Sequence, residues 1–224
     1  MNTSAYLFGI VIILLAGCQK KETKVSVNKK KVDTTLASRK DSIPAKNTSV
    51  TYLDTTLSLE NIRINGSKPM VLKSEFEKQY PKSDSIITEL WECGNPFEWL
   101  DQKWMDDTYG KRDANSGVYE NFDGKITTIY THKASFITNK HLVLFDDAFA
   151  DKNTLEVVSH HIILNHATSM EEFEKLFPKA KREEGANKDE FQYRFYLGKE
   201  SENAFFLVFK NGYFYSFNLW WLLC

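Results

Sequence analysis

Recognisable motifs of chemistry are missing from this chain. It has no glycine-rich phosphate loop, no Gly-x-Ser-x-Gly elbow, no His-Glu-x-x-His pair and no Cys-x-x-Cys. The sequence signals of nucleotide-binding, serine-hydrolase, zinc-protease and dithiol chemistry are therefore absent. Beyond residue 15 nothing approaches the ~18 consecutive apolar residues that a membrane-crossing helix needs. Cysteine is scarce, with three residues, Cys18, Cys93 and Cys224. Neither sign of charge dominates, since 29 Lys and Arg face 30 Asp and Glu for a formal net charge of -1. That balance hides an uneven layout along the chain.

The single apolar run, Tyr6 to Leu15, is too short to stay in a bilayer and ends in Leu15-Ala16-Gly17-Cys18. Polar Gln19-Lys20-Lys21-Glu22 follows at once. These four residues resemble the lipobox of bacterial lipoprotein precursors. The resemblance implies a signal peptide over 1–17, cleavage before Cys18, and lipidation of Cys18 as the first residue of the mature chain. In one respect the segment departs from the family pattern: Met1 to Ala5 contains no Lys or Arg. Gln19 in place of Asp implies, by likeness to enterobacterial sorting, the outer membrane where the source has one. Two or three acyl chains hold stably where one holds marginally, at ~0.8 kcal/mol per buried methylene.

Residues 18–51 contain no aromatic side chain, and nine basic residues there oppose three acidic ones. A segment of this composition buries too little apolar surface to offset its ordering entropy, so it is expected to be a disordered basic tether beside the lipid anchor. The body from Tyr52 onward is correspondingly acidic, which argues against a nucleic-acid partner.

Within the body, Glu75-Phe76-Glu77-Lys78-Gln79-Tyr80-Pro81-Lys82 is repeated as Glu172-Phe173-Glu174-Lys175-Leu176-Phe177-Pro178-Lys179. Both read as short amphipathic helices that stop at proline, which lacks the amide donor and disfavours helix at the residue before it. Thr168 or Ser169, with Glu171 or Glu172 three residues on, predicts a capping box. Strand-like Ile62–Ile64 and Val157–Leu164 precede the helices, and the turn signals Asp123-Gly124 and Asn211-Gly212 follow them. The aromatic and β-branched stretch Ala204–Leu223 predicts strands. The expected fold class is α+β: two tandem units, 52–150 and 151–224, each a short helix packed on an antiparallel sheet. The first carries extra residues within Gly94 to Gly117. In layout this is similar to tandem helix-plus-sheet periplasmic inhibitors and to small lipoproteins of the outer-membrane assembly machinery.

With Cys18 acylated, Cys93 and Cys224 remain as a candidate disulfide in an oxidising compartment. His160, His161 and His166 cluster in sequence, but on a strand His160 and His166 would stand about 20 Å apart, so no metal site or cofactor is expected. Asp113-Ala114-Asn115-Ser116-Gly117 resembles the start of a calcium loop, yet Val118 and Gly124 occupy positions that such a loop reserves for Gly and Glu. Asp101, Asp106, Asp107 and Glu120 are conceivable hydrolase acids with nothing to set their separation. Aromatic density on polar ground marks Phe97, Trp99, Trp104 and Tyr109 as candidate partner-binding residues, because large side chains with a polar handle anchor interfaces. The expectation is a lipid-anchored envelope protein, not an enzyme, that binds an envelope protein partner as scaffold, inhibitor or immunity-type module. A polysaccharide or peptidoglycan hydrolase and a lipid or small-ligand carrier are the competing readings.

Overall fold

Phe205, Leu207 and Phe209 alternate with more exposed neighbours in the most β-prone part of the chain, and this period of two sets one face against a core. They form β11 (Ala204–Lys210), which pairs antiparallel with β12 (Tyr213–Trp220). Asn211 and Gly212 close the hairpin at φ 51° and 81°, the left-handed pair that a type I′ turn requires. The computed structural model describes residues 50–223. Cys18, the signal segment, almost the whole tether and Cys224 lie outside the described residues.

The body is mixed α+β with mostly antiparallel strands. In chain order it comprises β1 (Ile62–Ile64), β2 (Met70–Leu72), α1 (Lys73–Gln79), β3 (Ser85–Leu90), α2 (Phe97–Leu100), α3 (Gln102–Tyr109), β4 (Lys125–Thr131), β5 (Ala134–Thr138) and β6 (Leu142–Phe149). There follow β7 (Leu155–Val157), β8 (Ile162–Leu164), α4 (Met170–Leu176), β9 (Arg182–Glu184), β10 (Glu190–Tyr196) and the β11–β12 hairpin. A nine-stranded sheet runs β3-β4-β5-β6-β12-β11-β10-β9, with β2 also paired to β6. A second sheet has the order β1-β7-β8. Pairing of β6 with β12 and of β1 with β7 joins residues on either side of position 150 in both sheets.

Both proline-stopped helices are present where the spacing places them. In α4, Ser169 and Glu172 form a reciprocal capping box, while Thr168 Oγ1 accepts a bond from the Asn165 amide. Phe173 is fully buried and meets Phe177, Tyr193 and Phe209 at ring separations of 5.0, 4.8 and 5.0 Å. In α1, Phe76 meets Tyr80 and Phe136 at 4.9 and 4.8 Å. Each helix covers one face of the large sheet with the same pair of ring positions.

Two expectations about local structure need correction. Val157–Leu164 is not one strand: a 3₁₀ turn at Val158–His160 breaks it, and His161 takes a left-handed φ of 54°. His160 is consequently not a surface residue of a strand. Its ring lies 4.0 Å from Tyr52, and its Nε2 is 3.0 Å from Asp54 Oδ2. The Tyr52 hydroxyl donates to the His160 carbonyl, and the Tyr52 amide donates to Leu176, which ties the start of the body to α4. Likewise, Asp123-Gly124 does not join neighbouring strands by a tight turn. It ends a long insert, residues 91–124, whose two ends meet where the Trp91 amide donates to the Gly124 carbonyl.

Candidate functional site

The insert brings most of its aromatic residues inward. Phe97 has no exposed surface and sits in the core with Met105 and Tyr119, so it is not a partner-binding residue. Helix propensity does not decide this; the amide of Phe97 donates to Asn95 Oδ1, and Asn95 in turn donates to Glu98, which pins the first turn of α2. Trp104 stacks on His141 at 5.3 Å and 9°, and Tyr109 bridges Trp104 and Phe122. Both are half-buried in this ladder of rings. Trp99 alone among the four is largely exposed, at 46%, with its ring edge-to-face on Trp221 at 5.9 Å.

Four acids of the insert, Asp101, Asp106, Asp107 and Asp113, are each occupied by a separate structural partner. Asp101 Oδ2 accepts from Asn139 Nδ2 and lies 2.8 Å from His141 Nδ1. These bonds dock the insert on the β5–β6 turn. Asp106 accepts from the Tyr119 hydroxyl, whose pKa burial and Asp106 together push up to about 12. Asp107 pairs with Lys103. Asp113 Oδ1 accepts two amides and a hydroxyl from its own loop, Asn115 and Ser116, which holds its carboxyl below the usual range. Among the described residues no three His, Cys, Asp or Glu converge as a metal site. Cys93 is disulfide-bonded, and both other cysteines lie outside the described residues.

A different surface gathers unsatisfied chemistry. The face of the large sheet opposite α4 carries a transverse row of directly opposed residues: Arg194, Phe206, Asn218, Asp147, Ser135 and Tyr130, ending at Ser85. Seven strands at the usual spacing span about 29 Å. On the β4–β6 part of this face Ile126, Ile137 and Leu144 are buried, in one cluster with Phe97 and Met105 of the insert. Over β10–β12 the face is open, with Tyr196, Tyr215 and Trp220 exposed.

Electrostatics single out three members of the row. Arg194 Nε and Asn218 Oδ1 are buried atoms without a hydrogen-bond partner among the described residues. The Arg194 guanidinium lies 4.9 Å over Phe206, and its Nη2 pairs with Glu183 at 3.2 Å. Asp147, opposite Asn218, is raised to about 6 by burial and by the adjacent Asp146, whose own carboxyl burial also raises. A depression of about 240 Å³ beside it is lined by Tyr130, Ser135, Phe149 and Lys133. The alternation of burial along β10–β12 sets these residues on the face away from α4. Their union in one row is not legible, because it depends on the register of six strand pairs. Bulges at Ser135/Phe136 and Val208/Phe209 shift that register, and turn signals do not reveal them. No protein-family model, curated protein or solved structure matches this chain.

Proposed function

We propose that this chain is a lipid-anchored envelope protein whose body binds a protein partner on the open face of its large sheet and carries out no catalysis. The row from Arg194 to Asp147 is the observation that carries this reading. An open aromatic sheet face with an unpartnered donor, an unpartnered acceptor and a partly desolvated carboxyl suits a partner surface that offers groups to all three. Trp220 and Trp99 flank it as large exposed anchors. A glycoside-hydrolase reading would require two acids facing one substrate, whereas Asp101, Asp106 and Asp107 are each committed to a different structural contact. The anchor in this proposal is Cys18, with outer-membrane placement, and the partner of Cys93 is Cys224.

The finer architecture proposed is a tandem duplication. A 3₁₀ turn, a three-residue strand followed by Asn, a helix ending before Pro, and four consecutive strands occur in that order twice. Ile62-Arg63-Ile64-Asn65, α1 and β3–β6 correspond to Ile162-Ile163-Leu164-Asn165, α4 and β9–β12. The insert 91–124 then corresponds to the short loop 185–189.

Photo-crosslinking of the full chain in its own envelope, at positions bordering Trp220, tests the binding reading. The adduct should disappear in Arg194→Ala and Trp220→Ala variants that keep the native melting temperature, each weakening capture by ~1–4 kcal/mol. Undiminished adducts in both variants would refute it. Loss of acyl labelling in Cys18→Ala is the matching test of the anchor.

A further inference from the structure

Two neighbouring carboxyls of β6 have no counter-charge. The bulge at Ser135/Phe136 leaves Asp146 as an extra residue on its strand, so Asp146 and Asp147 together oppose Ser135 of β5. Asp146 Oδ2 accepts from Ser135 Oγ at 2.7 Å, whereas Asp147 has neither a hydrogen bond nor an ion pair among the described residues. Asp147 lines the depression of about 240 Å³, and the other charged groups there are occupied. Lys133 Nζ is bonded to Asp151 at 2.5 Å, and Asp84 Oδ2 accepts the His132 amide. Tyr130 and Phe149, each 39% exposed, stand at the walls. Burial and the neighbouring Asp146 raise the Asp147 carboxyl to about 6, so at neutral pH it is mostly ionised, partly desolvated and beside a second acid. A larger hollow of about 490 Å³ shares Lys133 and Phe149, but its own acid, Asp151, is the one that Lys133 neutralises.

We propose that the depression beside Asp147 receives an arginine side chain of the protein partner, with its guanidinium on the Asp147 carboxylate and its stem against Tyr130 and Phe149. The proposal rests on the binding reading above and names the chemistry of that partner at this position. A cation is called for, because an ionised carboxyl with little water and an acidic neighbour gains most from an opposite charge. The volume lies below the ~300–1,000 Å³ of small-molecule sites and suits one long side chain. Arginine fits better than lysine on three counts. Its guanidinium is less strongly hydrated than an ammonium, so it enters a partly dry site more readily; it stacks on aromatic rings; and its five donors can serve several acceptors at once. Those acceptors are at hand: Asp147, the remaining lone pairs of Asp146, and the unpartnered Oδ1 of Asn218, whose backbone is one strand spacing, ~5 Å, from that of Asp147.

Titration of the isotope-labelled full chain in detergent micelles with N-acetyl-arginine amide, followed by NMR at the amides of Ser135 and Phe149, provides the test. Saturable shifts are expected at both positions at pH 7.5. Binding should be at least tenfold weaker for N-acetyl-citrulline amide, the uncharged isostere, and in an Asp147→Asn variant that keeps the native melting temperature or exceeds it. It should also weaken about tenfold from pH 7.5 to pH 5, as the ionised fraction of a carboxyl titrating near 6 falls. Equal binding of the citrulline analogue, undiminished binding to Asp147→Asn, or no saturable shift at Ser135 and Phe149 would overturn the proposal. So would N-acetyl-lysine amide binding as tightly as the arginine analogue. The probe needs no partner protein, so its failure leaves the Trp220 crosslink standing, and loss of that crosslink leaves the probe result intact.

Discussion

Phe173 and Trp99 show how little residue type alone says about role. Both are aromatic residues on short helices, yet one is enclosed by Phe177, Tyr193 and Phe209 and the other is half exposed. Phe173→Ala should cost ~3–5 kcal/mol, the usual price of an unfilled aromatic site, whereas Trp99→Ala should shift a urea midpoint hardly at all. Asp147 adds a pH dependence of known sign. Its folded pKa, about 6, lies above the usual carboxylate value, so the native state holds this proton more tightly than the unfolded chain. The stability associated with protonated Asp147 is fully present below the unfolded value and is lost as pH rises through about 6. Asp147→Asn should therefore stabilise the protein at pH 7.5 by ~1–2 kcal/mol, allowing for solvent screening, and lose that advantage by pH 4. Denaturant titrations of both proteins across pH 4–8 would measure it, and a pH-independent difference would refute the assignment.

Elements of the same kind are held by different means. The capping box at α4 is local, four residues whose spacing alone satisfies two orphan amides, and it was legible for that reason. Which hydroxyl does the capping was not, because Thr168 is taken by Asn165. At α1 the N-cap is Leu72, with no side-chain bond, and the Lys73 amide is instead accepted by the His141 carbonyl from the β5–β6 turn. Ser169→Ala should thus cost ~1 kcal/mol in urea unfolding, with Ser169→Asp largely restoring the loss. A null effect would mean that α4 is held by its Phe173 contacts alone.

The body holds together as one piece through β6–β12 and β1–β7. Its beginning is tied down as well, since Tyr52 bonds Leu176 and His160, and Leu57 donates to the Tyr196 carbonyl. If residues 18–51 form the tether that their composition predicts, trypsin acting on the full chain will cleave at lysines within about residues 20–50 and leave a fragment starting near Tyr52. N-terminal sequencing of the resistant fragment checks this. First cleavage inside the body, at Lys111 or Lys125, would show that the insert is the weakest part of the fold.

Local periodicity and turn chemistry were enough to specify the α+β class, the two proline-stopped helices, the Asn211-Gly212 hairpin and the strand character of the terminal stretch. Each depends on residues within a few positions of one another. Contacts between distant segments decided the rest. The fate of Phe97, Trp99, Trp104 and Tyr109 depended on which of them found Met105, His141, Phe122 or solvent, a choice made by the docking of the insert. The Arg194-to-Tyr130 row arises from strand order and register across more than a hundred residues. Pattern along a chain assigns a side chain to one face of its strand, but only sheet assembly determines what lies beside it.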